Sequence, residues 1–118
     1  MRFKGKIVLI TGSAGGIGFK TALDFGNEGA IVAVTDIDFE MAKKLSNQII
    51  SNGGIAEPLQ LDVTNLEQTK DVFEVLNQKY GVCDIVFCNA GIREITPMLD
   101  LEFEDWKKVI DVNVNGVF

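Results

Sequence analysis

The chain has no histidine, and its 118 residues include only two cysteines, two prolines, one tryptophan and one tyrosine. Without imidazole, and with no cluster of acidic or thiol side chains at metal-ligand spacing, no metal site is expected. The cysteines are Cys83 and Cys88. If residues 84–88 form a strand, the two lie about 16 Å apart at ~3.3 Å per residue. A disulfide requires Cα atoms within about 7 Å. Both are therefore read as reduced thiols, with Cys88 as small core packing. Basic charge is also scarce: eleven Lys and Arg face seventeen Asp and Glu, a net charge of −6. That balance excludes the basic face a nucleic-acid partner requires. No apolar run approaches the roughly 20 residues of a membrane span. No signal-peptide pattern follows Met1 to Lys6, so the default expectation is a cytoplasmic protein. What remains, 47% hydrophobic and 24% charged residues, is ordinary for a soluble globular chain. The length suits one domain with its own core, residues 1–118.

Strand and helix patterns alternate along the chain. Lys6 to Thr11 is nearly all apolar, as a strand covered on both faces should be. Gly16 to about Glu28 reads as a helix with Ile17, Ala22, Phe25 and Gly29 toward the sheet. Ile31 to Asp36 is a second apolar strand. Asp38 is placed to cap a helix running to about Ser51, with Ala42, Leu45 and Ile49 on one face. Asn52-Gly53-Gly54 ends it. Ala56 to Val63 holds a third strand, and Pro58 near its start suits an edge. Thr64-Asn65-Leu66-Glu67 has the form of a capping box. The helix it opens carries Leu66, Val72, Phe73, Leu76 and Tyr80 on its inner face and stops at Gly81. Asp84 to Cys88 is a fourth strand, Asn89 to about Asp100 a loop, and a last helix begins near Leu101 and still runs at Phe118. This alternation with short connections predicts an α/β doubly wound parallel sheet, Rossmann-type, with strand order 3-2-1-4. Right-handed crossovers place the first two helices on one face and the next two on the other.

The segment after the first strand, Thr11-Gly12-Ser13-Ala14-Gly15-Gly16-Ile17-Gly18, is a glycine-rich turn feeding a helix start. Free backbone N–H groups there, aided by the helix dipole, suit the pyrophosphate of a dinucleotide. Tight turns need glycine anyway, so the turn alone leaves a purely structural reading open. Asp36, 18 residues after Gly18 at the end of the second strand, is where a carboxylate accepts hydrogen bonds from the adenosine ribose. A carboxylate there repels a 2′-phosphate, no Lys or Arg lies in residues 13–15, and Ile37 follows. NAD is therefore expected rather than NADP.

The Thr11-Gly12-x-x-x-Gly16-Ile17-Gly18 pattern resembles the cofactor motif of the short-chain dehydrogenase/reductase family. Asp62-Val63 is similar to its adenine-pocket pair and Asn89-Ala90-Gly91 to its sheet-stabilising motif. Asp111-Val112-Asn113-Val114-Asn115-Gly116 resembles the helix segment bearing its active-site asparagine. The resemblance covers essentially the whole chain. It implies that Gly12, Ser13, Ala14, Gly16, Ile17 and Gly18 surround the diphosphate and neighbouring ribose, and that Asp36 and Ile37 hold the adenosine ribose. It further implies that Asp62 and Val63 flank the adenine, that Asn89, Ala90, Gly91 and Ile92 run beneath the nicotinamide, and that Asn113 holds a water in a proton relay. The implied reaction is hydride transfer between nicotinamide and a small-molecule alcohol or carbonyl substrate, with a homo-oligomer expected of a full-length protein.

Asn113 also stands out without the family. It interrupts a helical stripe of Phe103, Trp106, Ile110 and Val117, where an amide is costly unless hydrogen-bonded. A buried amide tied to backbone or water is the alternative to a relay role. Asn115 is off the stripe and expected to face solvent; Arg93 and Glu94 are read as ordinary loop charges. The family's acid–base tyrosine belongs to a Tyr-x-x-x-Lys helix. Here the only tyrosine, Tyr80, precedes Gly81-Val82-Cys83-Asp84, with no lysine at the fourth position. The expectation is therefore a cofactor-binding half that ends before a fifth strand and is inactive alone: a fragment, a truncated gene product kept as a non-catalytic NAD-binding module, or half of a split enzyme. It would leave the fourth strand's edge and Trp106, Ile110 and Val117 bare. A different doubly wound enzyme, such as a methyltransferase using S-adenosylmethionine, is the remaining alternative, against which Asn89-Ala90-Gly91 and Asn113 speak.

Overall fold

The computed structural model describes all of residues 1–118. Four strands, β1 (Ile7–Ile10), β2 (Ile31–Asp36), β3 (Ile55–Gln60) and β4 (Ile85–Phe87), alternate with α1 (Gly16–Asn27), α2 (Phe39–Ser51), α3 (Leu66–Lys79) and α4 (Phe103–Ile110). A single π turn, Asp111–Asn115, continues α4. The strands pair in parallel in the order β3-β2-β1-β4. This is the 3-2-1-4 arrangement expected from the alternation.

Period-two alternation sorts the strand residues onto two faces. Val8, Ile10, Val32 and Val34 join Ala22 of α1 and Ala42, Leu45 and Ile49 of α2 in one core. Leu9 and Ala33 point the other way, onto Val72 and Leu76 of α3. Both central strands are thus buried on both sides, which is why they read as unbroken apolar runs. Pro58 lies on β3, the outer strand at one side of the sheet, where its missing N–H breaks no pairing.

Several local expectations are corrected. Cys88 is exposed, not core: it shares a period-two face with Val86 of β4, which is itself 46% exposed, so no helix covers that face. Ile17 is 74% exposed: the α1 face that meets the sheet is Gly18, Ala22 and Gly26. Leu66 and Phe73 also lie toward solvent, so Val72 and Leu76 are the buried residues of α3. The cap of α3 is shifted by one. Asn65, not Thr64, is the N-cap and accepts from the Gln68 N–H at 3.0 Å, while the Gln68 side chain accepts from the Asp62 N–H. In keeping with the exposure expected of the last helix, by contrast, α4 contributes no buried residue, and Trp106 and Val117 are 49% and 52% exposed. The last helix is not continuous: the Gly116 N–H reaches back five residues to the Asp111 carbonyl at 2.8 Å, the π-turn spacing.

Candidate functional site

The site grows from the carboxyl ends of β1, β2 and β4, where the strand order switches direction. Thr11 follows β1 and still donates to the Phe87 carbonyl, at 3.1 Å. Gly12 then turns with φ of +58°, and a Cβ there would lie 2.8 Å from Ala90 Cα. Only glycine allows this turn to pass so close to the loop after β4. Ser13 is fully buried: its N–H and its hydroxyl both donate to the Thr35 carbonyl at 3.0 Å. Its hydroxyl therefore braces the turn against β2. The Ala14 N–H donates to Asp36 Oδ2 at 3.0 Å.

The next four N–H groups, of Gly15, Gly16, Ile17 and Gly18, donate to no group of the chain. Every helix begins with such orphan donors. In α2, Asp38 Oδ1 accepts from the Met41 N–H at 3.1 Å, and in α3 Asn65 plays the same part. α1 has neither a side-chain cap nor an acid in its first turn. Its positive end is left open, with donors arranged to receive an anion.

Asp36 closes the opposite side. It accepts from the Ala14 N–H through one oxygen and from the Asp38 N–H through the other, both at 3.0 Å. A carboxylate offers about four lone-pair sites, so acceptor capacity remains for ligand hydroxyls. Ile37 beside it is 63% exposed.

Asn89 locks the turn to β4. Its Nδ2 donates to the Thr11 and Gly12 carbonyls at 3.1 and 2.9 Å. The N–H groups of Asn89 and Ala90 in turn donate to Thr11 Oγ1 at 3.0 and 2.9 Å. Thr11 is thus a structural hinge of the site to which sequence reasoning gave no role. The signal was present: a hydroxyl residue placed just before the turning glycine. Farther along, Asn113 Oδ1 accepts from the Ile92 N–H, and its Nδ2 donates to the Ile92 carbonyl, both at 2.8 Å. The amide is thus tied to backbone, and it is exposed rather than buried. Asn115 faces solvent and donates to Asp111.

These elements surround a groove of about 700 Å³, within the range of small-molecule sites. Gly12, Asp36, Ile37, Asp62 and Val63 line it, as does the whole stretch Asn89 to Ile92. Ser13, Ala14, Gly16, Ile17, Gly18 and Asn113 are not among its lining residues. Gly15, Thr64 and a wall from α4 and the π turn are, and sequence reasoning did not assign them. The wall residues Glu104, Lys107, Lys108, Asp111 and Val112 fall at helical spacing, a pattern visible only once the helix is known to border a groove. Within the wall, Lys107 Nζ lies 2.6 Å from Asp111 Oδ2. That hydrogen bond holds the Asp111 carboxyl below, and the Lys107 ammonium above, their ordinary pKa values.

The model of the short chain dehydrogenase family matches residues 6–118. The chain is 43% identical to the 3-oxoacyl-[acyl-carrier-protein] reductase FabG of Thermotoga maritima, over all of this chain and 48% of that protein. It is 38% identical to a cyclohexanol dehydrogenase of an Acinetobacter species, over 99% of this chain and 47% of the relative. Among solved structures, a short-chain type dehydrogenase/reductase from Mycobacterium marinum superposes with a TM-score of 0.94 at 38% identity, over 98% of this chain and 47% of the other. A hydroxysteroid dehydrogenase from Escherichia coli gives 0.92 at 31% identity, over 98% of this chain and 48% of the other. The chain spans about half the length of the curated relatives it matches.

Proposed function

Because the chain belongs to the short-chain dehydrogenase family, we propose that residues 1–118 form the cofactor-binding half of an NAD-dependent oxidoreductase acting on an alcohol or carbonyl substrate. The observation that carries this reading is the pairing, around one groove, of an uncapped helix start with the Asp36 carboxylate.

The residues fit a dinucleotide. The four free N–H groups at Gly15–Gly18 would hold the diphosphate. Asp36 would accept from the adenosine ribose hydroxyls, and its charge would disfavour a 2′-phosphate. Asp62 and Val63 would flank the adenine, with Ile37 beside the ribose. Asn89 to Ile92 would run beneath the nicotinamide, which when bound supplies or accepts the hydride. Asn113 grips the Ile92 backbone at both its N–H and its carbonyl. It thereby positions the loop under the nicotinamide end, and in this reading it also holds a water for proton transfer.

Proton transfer itself needs an acid–base group. Tyr80 is not that group: its hydroxyl donates to Glu57 Oε2 at 3.1 Å, and it does not line the groove. No Tyr-x-x-x-Lys occurs in the 118 residues, so these residues alone are expected to bind cofactor without turnover. The relatives carry names as different as 3-oxoacyl-carrier-protein reductase and cyclohexanol dehydrogenase. In this reading the family resemblance leaves the substrate itself unspecified. In a full-length protein, the stacked and exposed Phe103 and Trp106 of α4 offer a surface for pairing of subunits.

Calorimetric titration with NADH and with S-adenosylmethionine tests the reading. Saturable heat with NADH and none with S-adenosylmethionine is expected. Binding of S-adenosylmethionine alone would refute it in favour of a methyl-transfer site.

A further inference from the structure

The groove is lined by four carboxylates, Asp36, Asp62, Glu104 and Asp111, and by only two cations, Lys107 and Lys108. That balance is unfavourable for an anionic ligand unless the carboxylates are engaged and a cation is free. Asp36 and Asp62 accept from backbone N–H groups, Asp62 from Thr64 at 2.9 Å. Asp111 is paired with Lys107 at 2.6 Å, which commits that ammonium.

Lys108 is uncommitted. Glu104 stands one turn earlier on the same helix face, in the order that favours an i,i+4 pair. The pair is nevertheless not formed, although Lys107 makes its own i,i+4 bridge in the same helix. Lys4, Lys44, Arg93 and Lys108 are the cations without a carboxylate partner, and Lys108 alone among them lines the groove.

Its place along the groove follows from the helix. Asn113 marks the nicotinamide end through its two bonds to Ile92. Lys108 lies five residues earlier, about 7.5 Å back along the axis at ~1.5 Å per residue. It shares its helix face with Val112, one turn on, and Val112 lines the same groove as Ile37 and Val63. A groove lined both by these apolar side chains and by an uncommitted ammonium suits a flat heteroaromatic base, which offers ring-nitrogen acceptors at its edge.

We propose that Lys108 is an affinity-determining residue for the cofactor, donating from the α4 wall to a ring nitrogen of the adenine. The proposal rests on the dinucleotide reading above.

The experiment titrates the chain with NADH and with ADP-ribose, which shares the adenosine half, at low salt and in 0.5 M salt, on the order of a 4 Å screening length. Unsubstituted, Lys108→Ala, Lys108→Arg and Glu104→Gln chains are compared. Lys108→Ala is expected to weaken both ligands by the same factor, roughly fivefold, as loss of one solvent-accessible charged hydrogen bond implies. The loss should persist in high salt, Lys108→Arg should restore most of it, and Glu104→Gln should bind slightly tighter. Unaltered binding by Lys108→Ala, a loss confined to NADH, or a loss that vanishes in salt would each overturn the proposal while leaving the dinucleotide site standing. Failure of the unsubstituted chain to bind either ligand would instead overturn the dinucleotide reading, and this proposal with it.

Discussion

Replacing Gly18 with alanine sets two physical effects against each other. Gly18 is a helical residue in α1, and at an open helix position alanine would be favoured by about 1 kcal/mol. Here the added Cβ would lie 2.5 Å from Asn89 Nδ2, 2.7 Å from the Gly12 carbonyl oxygen and 2.9 Å from Ser13 Cα. Two of those three are backbone atoms of a turn held by Thr35 and Asn89, and none can move alone. The Asn89 amide would have to leave, releasing its bonds to Thr11 and Gly12. Overpacking of this kind costs about 1–3 kcal/mol, and two lost hydrogen bonds about 0.5–1.5 kcal/mol each. Against the propensity gain, the net is a destabilisation of roughly 1–5 kcal/mol. Urea unfolding followed by circular dichroism reads it directly as a lowered midpoint at unchanged slope. Gly15→Ala is the control: its Cβ would meet nothing within 4 Å, and φ is an extended −153°. It should leave the midpoint nearly unmoved. A Gly18→Ala chain as stable as the parent would refute the packing argument, because only propensity would then be acting. In combination with Asn89→Ala the Gly18→Ala cost should shrink, since the two residues share one contact.

Thr11→Val keeps the shape of a buried side chain but removes the acceptor of the Ala90 N–H and one of the two acceptors of the Asn89 N–H, which also donates to the Phe87 carbonyl at 3.0 Å. It is expected to cost about 1–3 kcal/mol in urea unfolding and to speed hydrogen exchange at the Ala90 amide; slow exchange there would contradict the hinge role. Asp38→Ala removes the N-cap of α2 and should cost about 1 kcal/mol in the same assay, with Asp38→Asn close to neutral. Burial first, and then the bond to Glu57, holds the Tyr80 phenol above its ordinary pKa. The neutral form is the one favoured in the fold, so this stabilisation is complete below about pH 10 and is lost as pH rises through the raised value. Phenolate absorbance follows Tyr80 alone, as the only tyrosine. Its midpoint should exceed that of the unfolded chain and fall only part of the way back in Glu57→Gln, because burial remains.

Strand order, the two helical faces and the glycine turn were legible in the sequence because each rests on short-range pattern. Val8 and Ile10 against Leu9 show both faces of β1 buried, and an apolar run encodes that without reference to any partner. What escaped depends on tertiary context. Cys88 reads as core from its apolar neighbours, but the face of β4 it shares with Val86 is uncovered. The π turn at Asp111–Asn115 has no proline to announce it; its one local mark is Gly116, whose N–H closes it onto the Asp111 carbonyl. Ser13 sits in a motif that suggests a ligand contact, yet its hydroxyl reaches Thr35, 22 residues away. The α4 wall of the groove could not be foreseen, since periodicity shows that Glu104, Lys108 and Val112 share a face but not what that face borders.

If Asp36, at the end of β2, makes this groove a site for NADH rather than NADPH, as proposed, the choice between the two rests on one carboxylate. The direct measurement is the ratio of NADH to NADPH affinity by calorimetry, in the unsubstituted chain and in Asp36→Ala. A clear preference for NADH is expected in the parent and a collapse of that preference in the variant, with NADH weakened more than NADPH. An unchanged ratio, or a parent that prefers NADPH, would contradict it.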